Sequence, residues 1–349
     1  MKVGVVGCGY WGAKHVRVLH TIPDVGQVVA IDQSRERLSR LRQAFPGLGT
    51  YPDLESALDQ LDAVIIATPA ASHATLALQA LASGKSVLVE KPLATTTQDA
   101  RRVIEEAEAR SLVLMVGHTF EYNAAVWKLR ELVQDGELGR VYYLDSARLN
   151  LGVYQPDVNV IWDLGPHDVS IFNYVLGAAP VSVQAWGSHH AHQRWEDVAY
   201  LRLLYTDPEV TGNIHVSWLD PAKVRRTTVV GSHKMAVYND LSSEERIRVF
   251  DKSVVGPEDA ASPHNIPMSY RYGDIRAPYL FFKEPLEVQD REFINCMLTG
   301  DQPPTNGDNG LRVVQTLECA NLSLRTGRPV RLDEFAHHPT PTAQLARIP

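Results

Sequence analysis

Residue types that hold or move protons stand at two places in this chain of 349 residues. Lys91 closes the run Lys85-Ser-Val-Leu-Val-Glu90-Lys91-Pro92-Leu93, and Asp163 and His167 sit four positions apart in Trp162-Asp-Leu-Gly-Pro-His-Asp168. Pro166 suits the first position of a helix, where its missing N–H costs nothing, and His167 then falls in the first turn. The positive end of a helix disfavours imidazolium, so His167 is expected to stay neutral near neutral pH and to accept a proton. Gly165-Pro166 makes a turn, not a continuous helix, the expected link between Asp163 and His167. Asp168, inside the first turn, is the carboxylate better placed to satisfy helix-start N–H groups. Each also has a plain structural reading: a surface ion pair at a strand end for Glu90 and Lys91, and a satisfied helix-start residue for His167.

Lys91 needs a scaffold, and the residues before it supply one. Val87 to Val89 is a short aliphatic run bounded by polar residues, the pattern of a strand covered on both faces. In an open parallel α/β sheet the carboxyl ends of the strands form the ligand crevice, which is where Glu90 and Lys91 would lie. Pro92 rigidifies that corner, and a cis peptide bond is the expected means. Upstream, Val3 to Val6 leads into Gly7-Cys-Gly9-Tyr10-Trp11-Gly12 and then a segment with helical spacing of apolar residues. One glycine makes the tight turn, the next admits a pyrophosphate to the backbone, and the third lets the helix pack on the strand, while the helix start offers N–H groups to the phosphates. A second strand, Gln27 to Ile31, ends in Asp32, placed for the ribose hydroxyls and repelling a 2′-phosphate. NAD is therefore the expected dinucleotide, although Arg35 and Arg37 keep NADP open.

The alternation continues through a helix at Ser34 to Ala44, a strand at Ala63 to Ala67, a helix at Ser72 to Ser83, and a helix to Arg110 capped within Thr95 to Thr97, ending in a strand at Leu112 to Val116. Such spacing predicts a doubly wound parallel sheet. From about Tyr142 the runs become longer and alternate, at Val141 to Leu149, Val181 to Trp186, Ala199 to Tyr205, Thr211 to Trp218, Thr227 to Val230, Met235 to Tyr238 and Ile247 to Phe250. They read as a mostly antiparallel sheet with helices at Trp127 to Gln134, His167 to Leu176 and Asp290 to Leu298. The expected fold class is α/β: a Rossmann domain over 1–122, a second α/β domain over 123–336, and a loosely held tail over 337–349.

A formal charge of -7 and an apolar fraction of 44% describe a globular protein with small-molecule partners, without the basic surface that nucleic acid or an anionic membrane would need. The N-terminus enters a strand directly, without the apolar segment of a secretory signal, and no stretch is long and apolar enough to span a bilayer. Cys8, Cys296 and Cys319 show no metal-binding or disulfide spacing, and a reducing cytoplasm is expected. His189-His190-x-His192 lacks a matching carboxylate or cysteine, so no metal is expected.

Gly7-x-Gly9-x-x-Gly12, Asp32, Ala67-Thr68-Pro69 with His73, Glu90-Lys91-Pro92, Gly117-His118, Asp163-x-x-x-His167 and Pro303-Pro304-Thr305-x-Gly307 resemble the glucose-fructose oxidoreductase / inositol 2-dehydrogenase / MocA family over nearly the whole chain. The resemblance implies hydride transfer at a ring carbon of a sugar or cyclitol, with lysine, aspartate and histidine in the site, and a homodimer or homotetramer joined through the open sheet. Gly117-His-Thr-Phe-Glu-Tyr-Asn123, Trp162 to Asp168 and Trp218-Leu-Asp-Pro-x-Lys-Val-Arg225 look like the branch of nucleotide-sugar 3-dehydrogenases. Taking a hydride from a carbinol requires removal of the hydroxyl proton, so a base and a cation beside one oxygen are the expected pair. Lys91 is the cation, or the proton shuttle; whether it or His167 is the proximal base stays open. Asp163 would orient His167 or hold a substrate hydroxyl. Glu90 would contact the nicotinamide end or buttress Lys91, and Thr68 and His73 would touch ribose or nicotinamide. Arg148, Asn150, Tyr122 and Asn123 are the expected lining of the sugar pocket. Lys223-Val-Arg225-Arg226 is either a grip for a diphosphate or a solvated strand edge.

The leading expectation is thus an NAD-dependent oxidation of a secondary sugar hydroxyl, with C3 of a nucleotide-linked sugar the specific form. A free cyclitol or monosaccharide dehydrogenase is the alternative within the class. A hydrolase or isomerase that uses bound NAD transiently, and a non-catalytic dinucleotide sensor, are the alternatives outside it.

Overall fold

The computed structural model describes residues 1–155, 158–191, 194–206, 209–255 and 269–336. The first half alternates strand and helix: β1 (Lys2–Val6), α1 (Tyr10–Leu19), β2 (Gln27–Ile31), α2 (Arg35–Ala44), β3 (Gly49–Tyr51), β4 (Ala63–Ile66), α3 (His73–Ala82), β5 (Ser86–Glu90), α4 (Thr97–Ala109) and β6 (Leu114–Gly117). The strands form one parallel sheet in the order β3-β2-β1-β4-β5-β6. Strand order reverses beside β1, which opens a crevice at the carboxyl ends. All five residues of β5 are buried, as expected of a strand covered on both faces. Thr96 caps α4, its hydroxyl accepting the Asp99 N–H at 3.0 Å.

The second half contains α5 (Ala124–Gln134), β7 (Val141–Leu149), α6 (Val160–Leu176), β8 (Ser182–Ser188), β9 (Val198–Thr206), β10 (Glu209–Ser217), β11 (Val224–Gly231), β12 (Met235–Asn239), β13 (Ile247–Val255), β14 (Ser269–Arg276), α7 (Pro285–Thr299), α8 (Gly307–Thr326), β15 (Val330–Arg331) and α9 (Leu332–Ala336). Its sheet runs β14-β13-β12-β11-β7-β10-β9-β8-β15, with β7 and β10 parallel and the other paired neighbours antiparallel. Helices α5, α6 and α8 cover one face. The period of two is plain in β9, where Ala199, Leu201, Leu203 and Tyr205 point into that core and Tyr200, Arg202 and Leu204 point away.

Several elements depart from the sequence expectation. The two-residue and three-residue strands β15 and β3, the polar strand β14 and the long helix α8 lie outside the expected elements. α7 begins at Pro285 and returns to the first domain, where Leu286, Phe293, Ile294 and Cys296 share a core with Val16 and Leu19 of α1. The largest departure is α6. It is one helix from Val160, with Pro166 inside it and Asn159 as its cap, the Asn159 Oδ1 accepting the Trp162 N–H at 3.2 Å. No turn separates Asp163 from His167, and His167 is not at a helix start. The expected tail at 337–349 lies outside the described residues.

Candidate active site

The dinucleotide end is built by β1, the glycine turn and α1. Gly7 has φ 86°, and a Cβ on Gly12 would come within 1.9 Å of the Gly7 carbonyl oxygen, so both positions need glycine for the loop to fold back on the helix. A Cβ on Gly9 would meet nothing, so the loop leaves open space there, beside a helix start with no acidic residue in its first turn. That arrangement fits a pyrophosphate. Asp32, just past β2, closes the other side: its carboxylate accepts the Cys8 N–H and the Ser34 N–H, each at 2.7 Å, with Arg37 Nη1 3.4 Å away. Tyr10 and Trp11 stand exposed at the mouth, and the Lys14 ammonium lies 4.5 Å and 5.2 Å from their ring centres.

The chemical end is a cleft of about 570 Å³ lined, among others, by Trp11, Glu90, Lys91, Asn123, Arg148, Asn150, Asp163 and His167. β5 delivers Glu90 and Lys91 to it, and the Lys91–Pro92 peptide is cis. The Lys91 ammonium donates to the Asp163 carbonyl oxygen at 2.6 Å and lies 3.6 Å from the Asp163 carboxylate. An unbroken α6 puts Asp163 and His167 one turn apart on the same face. Asp163 does not orient His167, however: its Oδ2 accepts the Trp218 indole N–H at 2.9 Å. His167 packs edge-on against Phe120, and its Nδ1 is buried without a partner. Burial, followed by the charges of Lys91, Arg148 and Arg225, holds its pKa well below the ordinary histidine value. The neutral imidazole expected from the sequence is therefore kept, by burial and cations and not by a helix N-terminus.

Arg148 lines the cleft from β7, with Nε donating to Asp168 Oδ2 at 2.7 Å and Nη2 to Oδ1 at 3.3 Å, while its guanidinium lies 4.6 Å from the Phe120 ring centre. Asp168 thus serves a buried ion pair and not helix-start N–H groups. Asn123 caps α5 through Oδ1 and donates from Nδ2 to the Tyr238 hydroxyl at 3.1 Å. That hydroxyl donates to Asp240, which also faces Arg225 and Arg246 at 3.4 Å and 3.6 Å. The Lys223-Arg225-Arg226 cluster is split by strand alternation: Arg225 faces the cleft, Arg226 the opposite side of the sheet, and Lys223 is exposed.

Two expected site residues do not face the cleft. Tyr122 is buried, with its hydroxyl 2.9 Å from Thr305 Oγ1, because the 3-10 turn after β6 directs it into the core. His73 is buried with Nδ1 2.7 Å from the Pro92 carbonyl oxygen and Nε2 2.8 Å from that of Thr68, so it ties the two loops together. Thr68 itself lines an adjoining pocket with Trp11, Glu90, Lys91 and Asp163. Arg246 and Asp240 also belong to the site without a local sequence signal: both lie in the turn between β12 and β13 and reach the cleft only through the fold. Among the described residues no group of three or more His, Cys, Asp or Glu is arranged to hold a metal ion; His192 lies outside them.

A glycine loop at the switch point, an acid beyond β2 and a lysine, aspartate and histidine across the crevice define a dinucleotide-dependent oxidoreductase of two-domain α/β build. The chain belongs to the GFO/IDH/MocA oxidoreductases: residues 1–118 match the oxidoreductase family with NAD-binding Rossmann fold, and residues 126–237 match the GFO/IDH/MocA C-terminal domain. It is similar to D-apiose dehydrogenase of Paraburkholderia graminis, 27% identical over 343 residues that cover 95% of this chain and 89% of that protein. UDP-N-acetylglucosamine 3-dehydrogenase of Acidithiobacillus ferrooxidans is 32% identical over 190 residues, 54% of this chain and 58% of the relative. Among solved structures, GenD2 from gentamicin A biosynthesis, in complex with NAD, superposes with a TM-score of 0.79 at 27% identity, covering 95% and 96% of the two chains. The cofactor is NAD.

Proposed function

We propose that this enzyme oxidises a secondary hydroxyl, with C3 of the ring the first position to test, on a sugar that carries an anionic group such as a nucleoside diphosphate. NAD, when bound, supplies the hydride acceptor. His167 takes the hydroxyl proton, because it is neutral, its Nδ1 has no hydrogen-bond partner and it borders the cleft. Lys91, held by Asp163, stabilises the oxygen as negative charge develops on it. Arg148 on β7 and Asn150 just past its end bind the sugar from the far wall. The observation that carries the reading is this convergence of a fixed ammonium and a neutral imidazole in one cleft.

The anionic substituent is supported by Arg225 and Arg246, which line the far end of that cleft, and by the similarity to a UDP-sugar 3-dehydrogenase. A neutral monosaccharide is the second reading, favoured by Asp240, which already pairs with both of these arginines, and by the similarity to D-apiose dehydrogenase. UDP-, dTDP- and GDP-sugars screened against inositols and free hexoses, with NADH absorbance as readout, decide between them. If none of these is oxidised, the reading fails; oxidation only of neutral sugars transfers it to the second.

The face of the nine-stranded sheet away from the helices carries a stack of exposed Trp186 and Tyr200 on half-buried His215, with ring centres 5.6 Å and 4.0 Å apart. It supports assembly of two or four copies through this face, and light scattering on wild type and Trp186→Glu tests it: an unchanged mass in the variant removes the face from assembly.

A further inference from the structure

Beneath the cleft lies a buried chain of ionisable groups that the chemistry above does not use. His15 of α1 is fully buried, with Nδ1 2.9 Å and 3.0 Å from the two carboxylate oxygens of Asp290 and Nε2 3.2 Å from Glu90 Oε1. Asp290 is supplied by α7 and Glu90 by β5, so three elements remote in sequence meet on one imidazole. Glu90 Oε2 then accepts the Lys91 N–H at 3.2 Å.

Each ring nitrogen faces a carboxylate oxygen, so each contact holds a proton. Two carboxylates, an imidazole and its second proton sum to a charge of minus one, wherever along the chain that proton resides. Burial pushes His15 down, but Asp290 and then Glu90 more than offset it and raise its pKa to about 10, so the count holds across the working range. The other groups facing the cluster do not cancel it. Lys91 is paired with Asp163, Gln289 on α7 is uncharged, burial lowers the pKa of His73, and burial keeps His118 on β6's carboxyl side neutral with a pKa near 4.

The cluster lies between the two places a bound dinucleotide must join. His15 is less than one turn past Gly12, and Glu90 lines both the cleft beside Lys91 and the pocket beside Trp11 and Thr68. We propose that Glu90, His15 and Asp290 form a fixed negative charge at the nicotinamide end of the cofactor site, which makes the enzyme bind the oxidised, cationic ring in preference to the neutral reduced one. The enzyme is thereby biased to load NAD and release NADH. One unit of charge acting within the protein over several ångströms is worth about tenfold or more in affinity.

The inference rests on NAD binding and not on the sugar reading, and its test contains no sugar. Dissociation constants for NAD and NADH are measured calorimetrically on wild type and on Glu90→Gln with Asp290→Asn, where the imidazole is neutral and the cluster carries no charge. NAD should weaken while NADH changes little, so that the preference for NAD falls about tenfold or more. Equal losses for both would make the cluster a purely structural tie and overturn the proposal. If the double variant does not fold, Asp290→Asn alone is read across a pH series, with the imidazole followed by NMR to fix the interval in which it loses its second proton. Its preference for NAD should rise with pH as the cluster passes from neutral to minus one, while wild type stays flat; a flat ratio in the variant overturns the proposal equally.

Discussion

The Lys91 ammonium donates to the backbone carbonyl of Asp163 at 2.6 Å, within the helical turn that also holds Pro166. A main-chain acceptor fixes the cation on the helix that carries His167, so that ammonium and imidazole face one volume. Lys91→Ala should therefore lower kcat by about 100- to 10,000-fold, the usual range for a positioned acid, base or charge, while the Kd for NAD stays within a few fold. Turnover near the wild-type value would remove Lys91 from the mechanism.

His167 gives a prediction in pH. Burial and then Lys91, Arg148 and Arg225 depress its pKa well below 6.5, so the imidazole is a free base at and above that pH and protonates only in more acidic solution. Turnover should be flat through neutrality and fall on the acid side of pH 6.5. His167→Asn should be slower by about 100-fold or more and lose that acidic limb. A limb that persists unchanged in the variant assigns the base elsewhere.

Asp32 holds the Cys8 and Ser34 N–H groups at the end of β2, and its charge repels a 2′-phosphate. Asp32→Ala should weaken NAD by about tenfold and narrow the preference over NADP, because Arg37, 3.4 Å from the carboxylate, is then free to meet the extra phosphate. Parallel titrations with the two dinucleotides check it, and an unaltered preference would show that Asp32 does not read the ribose.

What the sequence disclosed and what it hid follow a physical division. Gly7, Gly9, Gly12 and Asp32 were legible because the strand, turn and helix that use them are contiguous, and the burial of Val87 to Val89 was written in their composition. α6 was misread because proline inside a helix ordinarily ends it; here Pro166 lies within the helix, seven positions into it. The consequence is local: of the two roles open to Asp163, orienting His167 is not met, because its carboxylate accepts from Trp218, a contact across 55 positions that no local pattern encodes. The same holds for His15 and Asp290, 275 residues apart. α8 was different. Its cap Asn306, the three-residue spacing of Leu311, Val314 and Leu317, and its closing Gly327 all stand in the sequence as helix signals.

Glu121 carries a prediction about stability. It is buried beside α6 and α8, where Ser170 Oγ donates to its Oε1 at 2.7 Å and Asn309 Nδ2 lies 3.1 Å from Oε2. Burial raises its pKa from 4.5 to about 7, although those two hydrogen bonds pull it back. The folded state then binds the proton more tightly than the unfolded chain, so stability falls as pH rises from about 4.5 to about 7 and is flat above. The penalty at alkaline pH is on the order of 3 kcal/mol. Glu121→Gln cannot ionise and escapes it. Asn309 Oδ1 is buried without a partner and, with its amide turned over, accepts the new side-chain N–H. The variant should match wild type near pH 4 and exceed it at pH 8, with a Tm advantage of a few degrees that develops across the interval between. Thermal unfolding of both proteins over that pH series measures it, and a Tm difference that does not change with pH would mean that Glu121 folds without a displaced titration.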